Sequence, residues 1–437
     1  MSLPWCSPVI EGAVQRRAAS TRSALIGRGS ASAAEGVLRA ATALAVALAL
    51  VACGPAPAPP ATVYPSATVS PTGTALPTGT PGPGLGAFPR LPTTELPIDA
   101  AAALQAILDE AVDTLYAPGL AAAVIVADRG TWAGAVGTAD GTTALDPTAQ
   151  FAIGSVTKMI TAAQVLQLVE SGAIDLDRHL AEYLGDDDLA TNGATVRQVL
   201  AMRSGIGDPQ ISTDTCRSDL AASISLADLR TVPLGPPYFE PGTAFRYTSS
   251  NYDLAGSLIE EVTGSTLASV LRSGVLSAPG LERLIYQDAE RPTPPLAAPF
   301  VIGSGSVPGP TELLEVGGGY LPARCLASSA GPAGGMASDT MTLARWGYLL
   351  FGGWILGDEA LAAMTDFEDG YYGLAAVDQG SVFGSPALGH GGTVPGYTAQ
   401  LLVFPEEGLA VAVLMNTNGN EDALASIAGQ LRAALTP

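Results

Sequence analysis

Two strand pairs stand near opposite ends of the chain, and any sheet that uses both must bring those ends together. Near the start, LAAAVIVADRG runs into TWAGAVGTADG over residues 120–141, two β-prone runs joined at Arg129-Gly130. Near the end, YTAQLLVFPEEGLAVAVLMN at 397–416 repeats the arrangement around Pro405-Glu406-Glu407-Gly408. Each pair has a helical pattern beside it, IDAAAALQAILDEAVDTLYA from Ile98 and EDALASIAGQLRAAL from Glu421. The stretch between is mostly helical patterns and Gly/Pro loops, including TVRQVLAMRSG and TMTLARWGYLLFGG. The expected fold class is therefore α/β: an antiparallel sheet flanked by N- and C-terminal helices, drawn from about 98–155 and 350–437, with a mainly helical part of about 156–349 inserted between them.

Upstream, the composition changes twice. Residues 40–52, AATALAVALALVA, follow Arg39 and end at Cys53; the run is too short to span a bilayer and has the flanks of a signal h-region. Leu50-Val51-Ala52-Cys53 resembles a bacterial lipobox, so residues 1–53 are expected to be a lipoprotein-type signal with Cys53 as the lipidation site, an ordinary signal peptide being the alternative. Twelve of the 34 prolines fall between residues 54 and 97, mixed with Thr, Ala, Gly and Ser, so 54–95 is expected to be a linker and 96–437 the folded domain. A chain so built is exported and extracytoplasmic, touching the membrane only through a lipid anchor.

Charge and rare residues then prune the chemistry. The formal charge is −21; the first 53 residues hold five Arg against Glu11 and Glu35, which leaves 15 cationic against 39 acidic side chains beyond them. That field disfavours nucleic acid and anionic lipid as partners. With two His and four Cys that lack metal-ligand spacing no metal site is expected, no Gly-Lys pair exists for a phosphate loop, and no GxSxG elbow occurs. An enzyme of this composition works with side chains alone, and no cofactor is expected.

The chain has one lysine, Lys158, against nineteen arginines, and it stands three residues after Ser155 in FAIGSVTKMI. Arg cannot release its proton at working pH, whereas a lysine in the right surroundings can act as a base. The amphipathic continuation MITAAQVLQLVESGAIDL places Ser155 in the first turn of a helix, where i and i+3 share a face and the helix end favours a developing oxyanion.

Two later stretches, FRYTSSNYDLAGSLIEEVTG at 245–264 and GHGGTVPGYTAQ at 389–400, follow in the order of the second and third motifs of serine penicillin-recognising enzymes. With LQLVESGAIDLD, TVRQVLAMRSG and AGGMASDTMTLARWG, the chain resembles the class C β-lactamase, D-alanyl-D-alanine carboxypeptidase and esterase superfamily over about 98–437. The resemblance implies a β-lactamase/penicillin-binding-protein-like fold and a small-molecule or peptide acyl substrate. It also implies Ser155 as nucleophile, Lys158 as its proton acceptor, Tyr247 as proton shuttle, His390 at the head of the third motif, and Gly392 and Thr393 at the oxyanion hole with Ser155. Ser249 and Gly391 depart from the pattern, since relatives carry Asn and often Thr there to hold a substrate amide and a carboxylate. Efficient peptide or β-lactam turnover is correspondingly in doubt, esters remain open, and a non-catalytic or acylation-only envelope binding protein is the competing expectation. Cys216 and Cys325, the thiols left after processing at Cys53, are expected to pair in an oxidising compartment, or else to be buried free thiols.

Overall fold

The computed structural model describes residues 85 and 87–435, apart from 116, 186–190, 210–215, 217–218, 303–309, 314–318, 368–369 and 420. The expected signal segment, Cys53 and most of the expected linker lie outside the described residues. In chain order the elements that build the site are α1 (Ile98–Leu115), β1 (Gly119–Val126), β2 (Gly130–Gly137), β3 (Phe151–Ala152), α2 (Thr157–Glu170), α3 (Ser250–Thr263), β4 (Ile285–Tyr286), α4 (Arg324–Gly334), β5 (Met336–Ser338), α5 (Thr340–Phe351), β6 (Val377–Asp378), β7 (Leu388–Val394), β8 (Tyr397–Phe404), β9 (Leu409–Met415) and α6 (Glu421–Leu435).

The two strand pairs do meet. The main sheet runs β2-β1-β9-β8-β7-β6, every neighbouring pair antiparallel, with Leu120 opposite Met415 and Val126 opposite Leu409 where the chain's two ends join. β1, β8 and β9 are buried along their whole length, because helices cover both faces. Leu104 and Leu108 of α1, one turn apart, pack with Leu424 and Leu431 of α6 against one face. The other face carries Ala121, Ala123, Leu401 and Val403, covered by α5 and the helical part. At Gly347 the helix lies close on the sheet: a Cβ there would stand 2.9 Å from Leu401 Cδ1. α5 therefore belongs to the sheet by packing, although most of it falls inside the stretch the sequence assigns to the helical insertion. A second, three-stranded sheet of order β3-β5-β4 links that insertion to the main body.

Residues 88–95, the end of the expected linker, are docked on this body together with Leu96. Phe88 is buried with its ring 4.7 Å from that of Tyr348, Tyr348 Oη donates to Pro89 O at 3.0 Å, and Trp354 Nε1 donates to Phe88 O at 3.2 Å. Leu96 N and Thr131 O, then Thr131 N and Thr94 O, pair at 2.9 Å along the rim of β2. Phe88 and Leu96 give this segment apolar surface that a solvated tether would leave bare. In the helical part Cys216 and Cys325 are disulfide-bonded, their Cα atoms 5.5 Å apart and 109 residues apart in sequence. Closing a loop of that length removes roughly 4 to 5 kcal/mol of unfolded-state entropy in the chain-entropy account.

Candidate active site

After β3 the chain turns sharply. Ile153 N donates to Met336 O at 3.0 Å, and Gly154 takes φ +51, a left-handed value that suits glycine. Ser155 then sits in a 3₁₀ turn, Gly154–Val156, and the α-helix α2 begins only at Thr157, so Ser155 precedes the first α-helical turn in which the sequence pattern places it. The tight turn leaves Ser155 half-buried and partly open, while Lys158 in the first turn of α2 is only 1% exposed.

The i, i+3 spacing works as expected despite the change of helix type. Lys158 Nζ lies 3.1 Å from Ser155 Oγ and donates to Ala333 O at 2.8 Å. That carbonyl is aimed by a break inside α4, where Gly331 adopts φ 44, ψ −140 ahead of Pro332, and Thr161 Oγ1 ties Pro332 O to α2 at 2.8 Å. The amine also faces two rings, 4.9 Å from the centroid of Tyr247 and 5.9 Å from that of Tyr252.

Tyr247 lies on the loop before α3. Its segment is laced to Leu200–Gly207: Arg246 N donates to Met202 O, Ser250 Oγ to Gly207 O at 3.0 Å, Tyr252 Oη to Leu200 O at 2.9 Å, and Ser204 Oγ to Asn251 Oδ1 at 2.5 Å. Asn251 is thereby committed to holding the loop, and it does not substitute for the amide missing at position 249. Ser249 caps α3 through its carbonyl, which accepts from Tyr252 N and Asp253 N, and its side chain makes no capping bond.

The third stretch forms β7. Its residues Gly389 and Leu388 pair with β6, so beyond them the strand presents an edge, with Gly391 opposite Gln400 and Thr393 opposite Thr398 on β8. This edge runs hard against the Ser155 turn. A Cβ on Gly392 would lie 2.1 Å from Ile153 O and 2.9 Å from Ser155 N, and one on Gly154 would lie 2.8 Å from Thr393 N. A side chain at either glycine would block that approach, which brings the backbone nitrogens of Ser155 and Thr393 to the same contact between turn and strand. His390 is 4% exposed and faces Tyr247 and Tyr372, ring centroids 6.1 and 5.9 Å away. Burial holds its pKa down at about 4, and the Lys158 charge adds to this against a hydrogen bond to Gly391 O. His390 is therefore neutral near pH 7, with Nδ1 on Gly391 O and Nε2 buried without a hydrogen-bond partner among the described residues.

A serine and a lysine on adjacent helical turns, a tyrosine loop and a glycine-paired edge strand match one family model, described as Beta-lactamase, over residues 104–435. The chain belongs to the beta-lactamase family. Among relatives of this beta-lactamase-family chain, penicillin-binding protein 4 of Amycolatopsis lactamdurans is 27% identical over 316 residues, 66% of this chain and 78% of that protein. Protein flp of Staphylococcus aureus strain COL is 31% identical over 122 residues, 27% of this chain and 24% of that protein. Among solved structures, a D-stereospecific amidohydrolase from a Streptomyces species superposes with TM-score 0.62 at 25% identity, covering 75% of this chain and 97% of that one. The D-amino acid amidase of Ochrobactrum anthropi SV3 complexed with L-phenylalanine amide shares the fold with TM-score 0.63 at 23% identity, covering 77% and 98%. The chain is a serine hydrolase of the beta-lactamase family.

Three residues at this beta-lactamase-family site were given no role from the sequence: Asp253 and Gln400, which lie within the stretches 245–264 and 389–400, and Glu421, which lies outside them. Asp253 is half-buried as a residue, but its Oδ1 is shielded and lacks a hydrogen-bond partner among the described residues. Burial pushes its pKa up to about 7, against the pull of the Lys158 cation. The folded carboxyl thus keeps its proton between about pH 4 and 7, where the unfolded one gives it up, so its stabilising contribution is present at low pH and lost as pH rises through 7. Asp253→Asn removes that loss. The melting temperature of the variant minus that of wild type is expected to rise from pH 4 to pH 7 and then level off; a difference that is flat or falls over this range contradicts the assignment. The opposite slope contributed by His390 is common to both proteins and cancels.

Proposed function

We propose that this protein is an exported, lipid-anchored hydrolase that cleaves small amides or esters through a covalent acyl-enzyme on Ser155. The observation that carries this is the 3.1 Å contact between the buried Lys158 Nζ and Ser155 Oγ. In this mechanism Lys158, as a neutral amine, takes the Oγ proton while Oγ attacks the substrate carbonyl carbon. The bond to Ala333 O uses one amine proton and fixes the amine's orientation toward Ser155. The carbonyl oxygen, as it gains charge, lies between the N–H groups of Ser155 and Thr393. Tyr247, whose ring stands over the amine, relays the proton to the departing amine or alcohol and then draws one from the attacking water. His390, held neutral, contributes a hydrogen-bonding ring edge to the same pocket. The amide-cleaving relatives of Streptomyces and Ochrobactrum support small amides as the substrate class. The lipobox-like Leu50–Cys53 and the Cys216–Cys325 disulfide support an oxidising compartment outside the cytoplasm.

The test is the time course with an activated ester, with mass spectrometry of the quenched enzyme. A stoichiometric burst, acyl mass on the peptide that contains Ser155, and continued turnover are expected. A burst with no turnover returns the acylation-only binding protein, and a label elsewhere removes Ser155 from the mechanism.

A further inference from the structure

Beside the oxyanion edge, on the face of β7 opposite His390, the polar atoms that approach position 391 are acceptors. Thr393 Oγ1 donates its one proton to Glu421 Oε1, in a short contact across 28 residues, so its hydroxyl has only lone pairs left for a ligand. Glu421 Oε2 lies 3.9 Å from where a Cβ on Gly391 would stand, and Gln400 Oε1 lies 3.4 Å from the same point. Gln400 Nε2 donates one of its two protons to Leu401 O at 3.2 Å, and it is Oε1 that stands toward Gly391. Because Gly391 has no side chain, nothing covers these oxygens from within the strand, and no hydroxyl at 391 can offer a proton.

The nearby cations do not alter this balance. Lys158 is directed to Ser155 and Ala333, and Arg246, next to Tyr247 in sequence, lies 3.8 Å over the Tyr238 ring and 3.4 Å from Asp208. A substrate carboxylate at this position would meet a fixed negative charge and three acceptors, whereas an ammonium would find them complementary.

We propose that Glu421, with Thr393 and Gln400, forms a subsite that selects acyl donors carrying an ammonium group near the scissile bond and rejects those carrying a carboxylate there. This rests on the serine hydrolase mechanism proposed above and specifies its substrate class. Two unit charges about 5 Å apart at an effective dielectric near 20 interact by enough to change a rate by 10-fold or more, so a ratio between opposite charges is a sensitive readout.

The experiment measures kcat/KM for three matched aryl esters whose acyl or leaving group bears an ammonium, a neutral amide or a carboxylate at the same atom. Wild type is expected to prefer the ammonium ester over the carboxylate ester by ~100-fold, and added salt should compress that ratio. Glu421→Gln should collapse it by ~10-fold or more, while Glu421→Asp should retain most of it. A wild-type enzyme that turns over the carboxylate ester as well as the ammonium ester overturns the proposal, whether or not any variant folds. So does a Glu421→Gln ratio within twofold of wild type. Turnover of the neutral ester without charge discrimination refutes the subsite alone, whereas no turnover of any ester removes the hydrolase mechanism and the subsite with it.

Discussion

Lys158→Arg is expected to lower the rate of Ser155 acylation by about 10²- to 10⁴-fold, close to the loss in Ser155→Ala, while the fold persists. The substitution keeps the positive charge and roughly the reach, and it keeps donors for Ala333 O, which Lys158 contacts at 2.8 Å. What it removes is the ability to become neutral, because a guanidinium holds its proton throughout the working range. In energy the loss corresponds to about 3 to 5 kcal/mol of barrier. An electrostatic or purely structural lysine predicts the opposite, since Arg would supply the same charge to Tyr247 and His390. The measurement is the second-order rate of labelling by a fluorophosphonate, with the labelled peptide identified and melting curves recorded for both variants. A Lys158→Arg protein that is labelled within a few-fold of wild type ends the case for lysine as base.

The site was legible in the sequence wherever its logic is local. Ser155 and Lys158 lie three apart, and that spacing brings them together in a 3₁₀ turn as well as in an α-helix, so placing Ser155 in the first α-helical turn, rather than in the 3₁₀ turn before it, did not disturb the pairing. The apolar runs of β1, β8 and β9 announced strands of one antiparallel sheet, and the turn residues at Arg129-Gly130 and 405–408 punctuated it. Long-range contacts were not legible. Asp253 reads as an ordinary polar position near the start of an amphipathic helix, and its shielding comes from Gly331 and its neighbours, close to eighty residues away. Glu421 reads as an acid placed to suit the positive end of α6, and nothing in EDALASIAGQ points to Thr393. Phe88 was masked by the proline-rich composition around it, because an isolated aromatic in such a stretch carries no period from which docking could be read. In each case the deciding partner is distant in sequence, and only the assembled fold determines its position.

Gly392→Ala is expected to cost about 10²- to 10³-fold in the acylation rate, the loss associated with one oxyanion donor, although the change adds a single methyl group. The added Cβ would stand 2.1 Å from Ile153 O and 3.1 Å from Ile153 C, both backbone atoms that no rotamer change can move aside. β7 and the Ser155 turn must therefore separate by about an ångström to restore ordinary contact distances. That separation acts directly on the N–H of Ser155, 2.9 Å from the same point, and draws the N–H of Thr393 away from it. The bond that orients Lys158, from Nζ to Ala333 O at 2.8 Å, involves neither β7 nor Ile153. The loss should consequently appear in every step that builds negative charge on the carbonyl oxygen, so acylation and deacylation should fall together. The check is single-turnover kinetics with the activated ester, resolving the burst rate from the subsequent turnover, alongside a melting curve. If only deacylation falls, β7 is not part of the oxyanion site, and if neither falls, the close approach of Gly392 to the serine turn has no catalytic consequence.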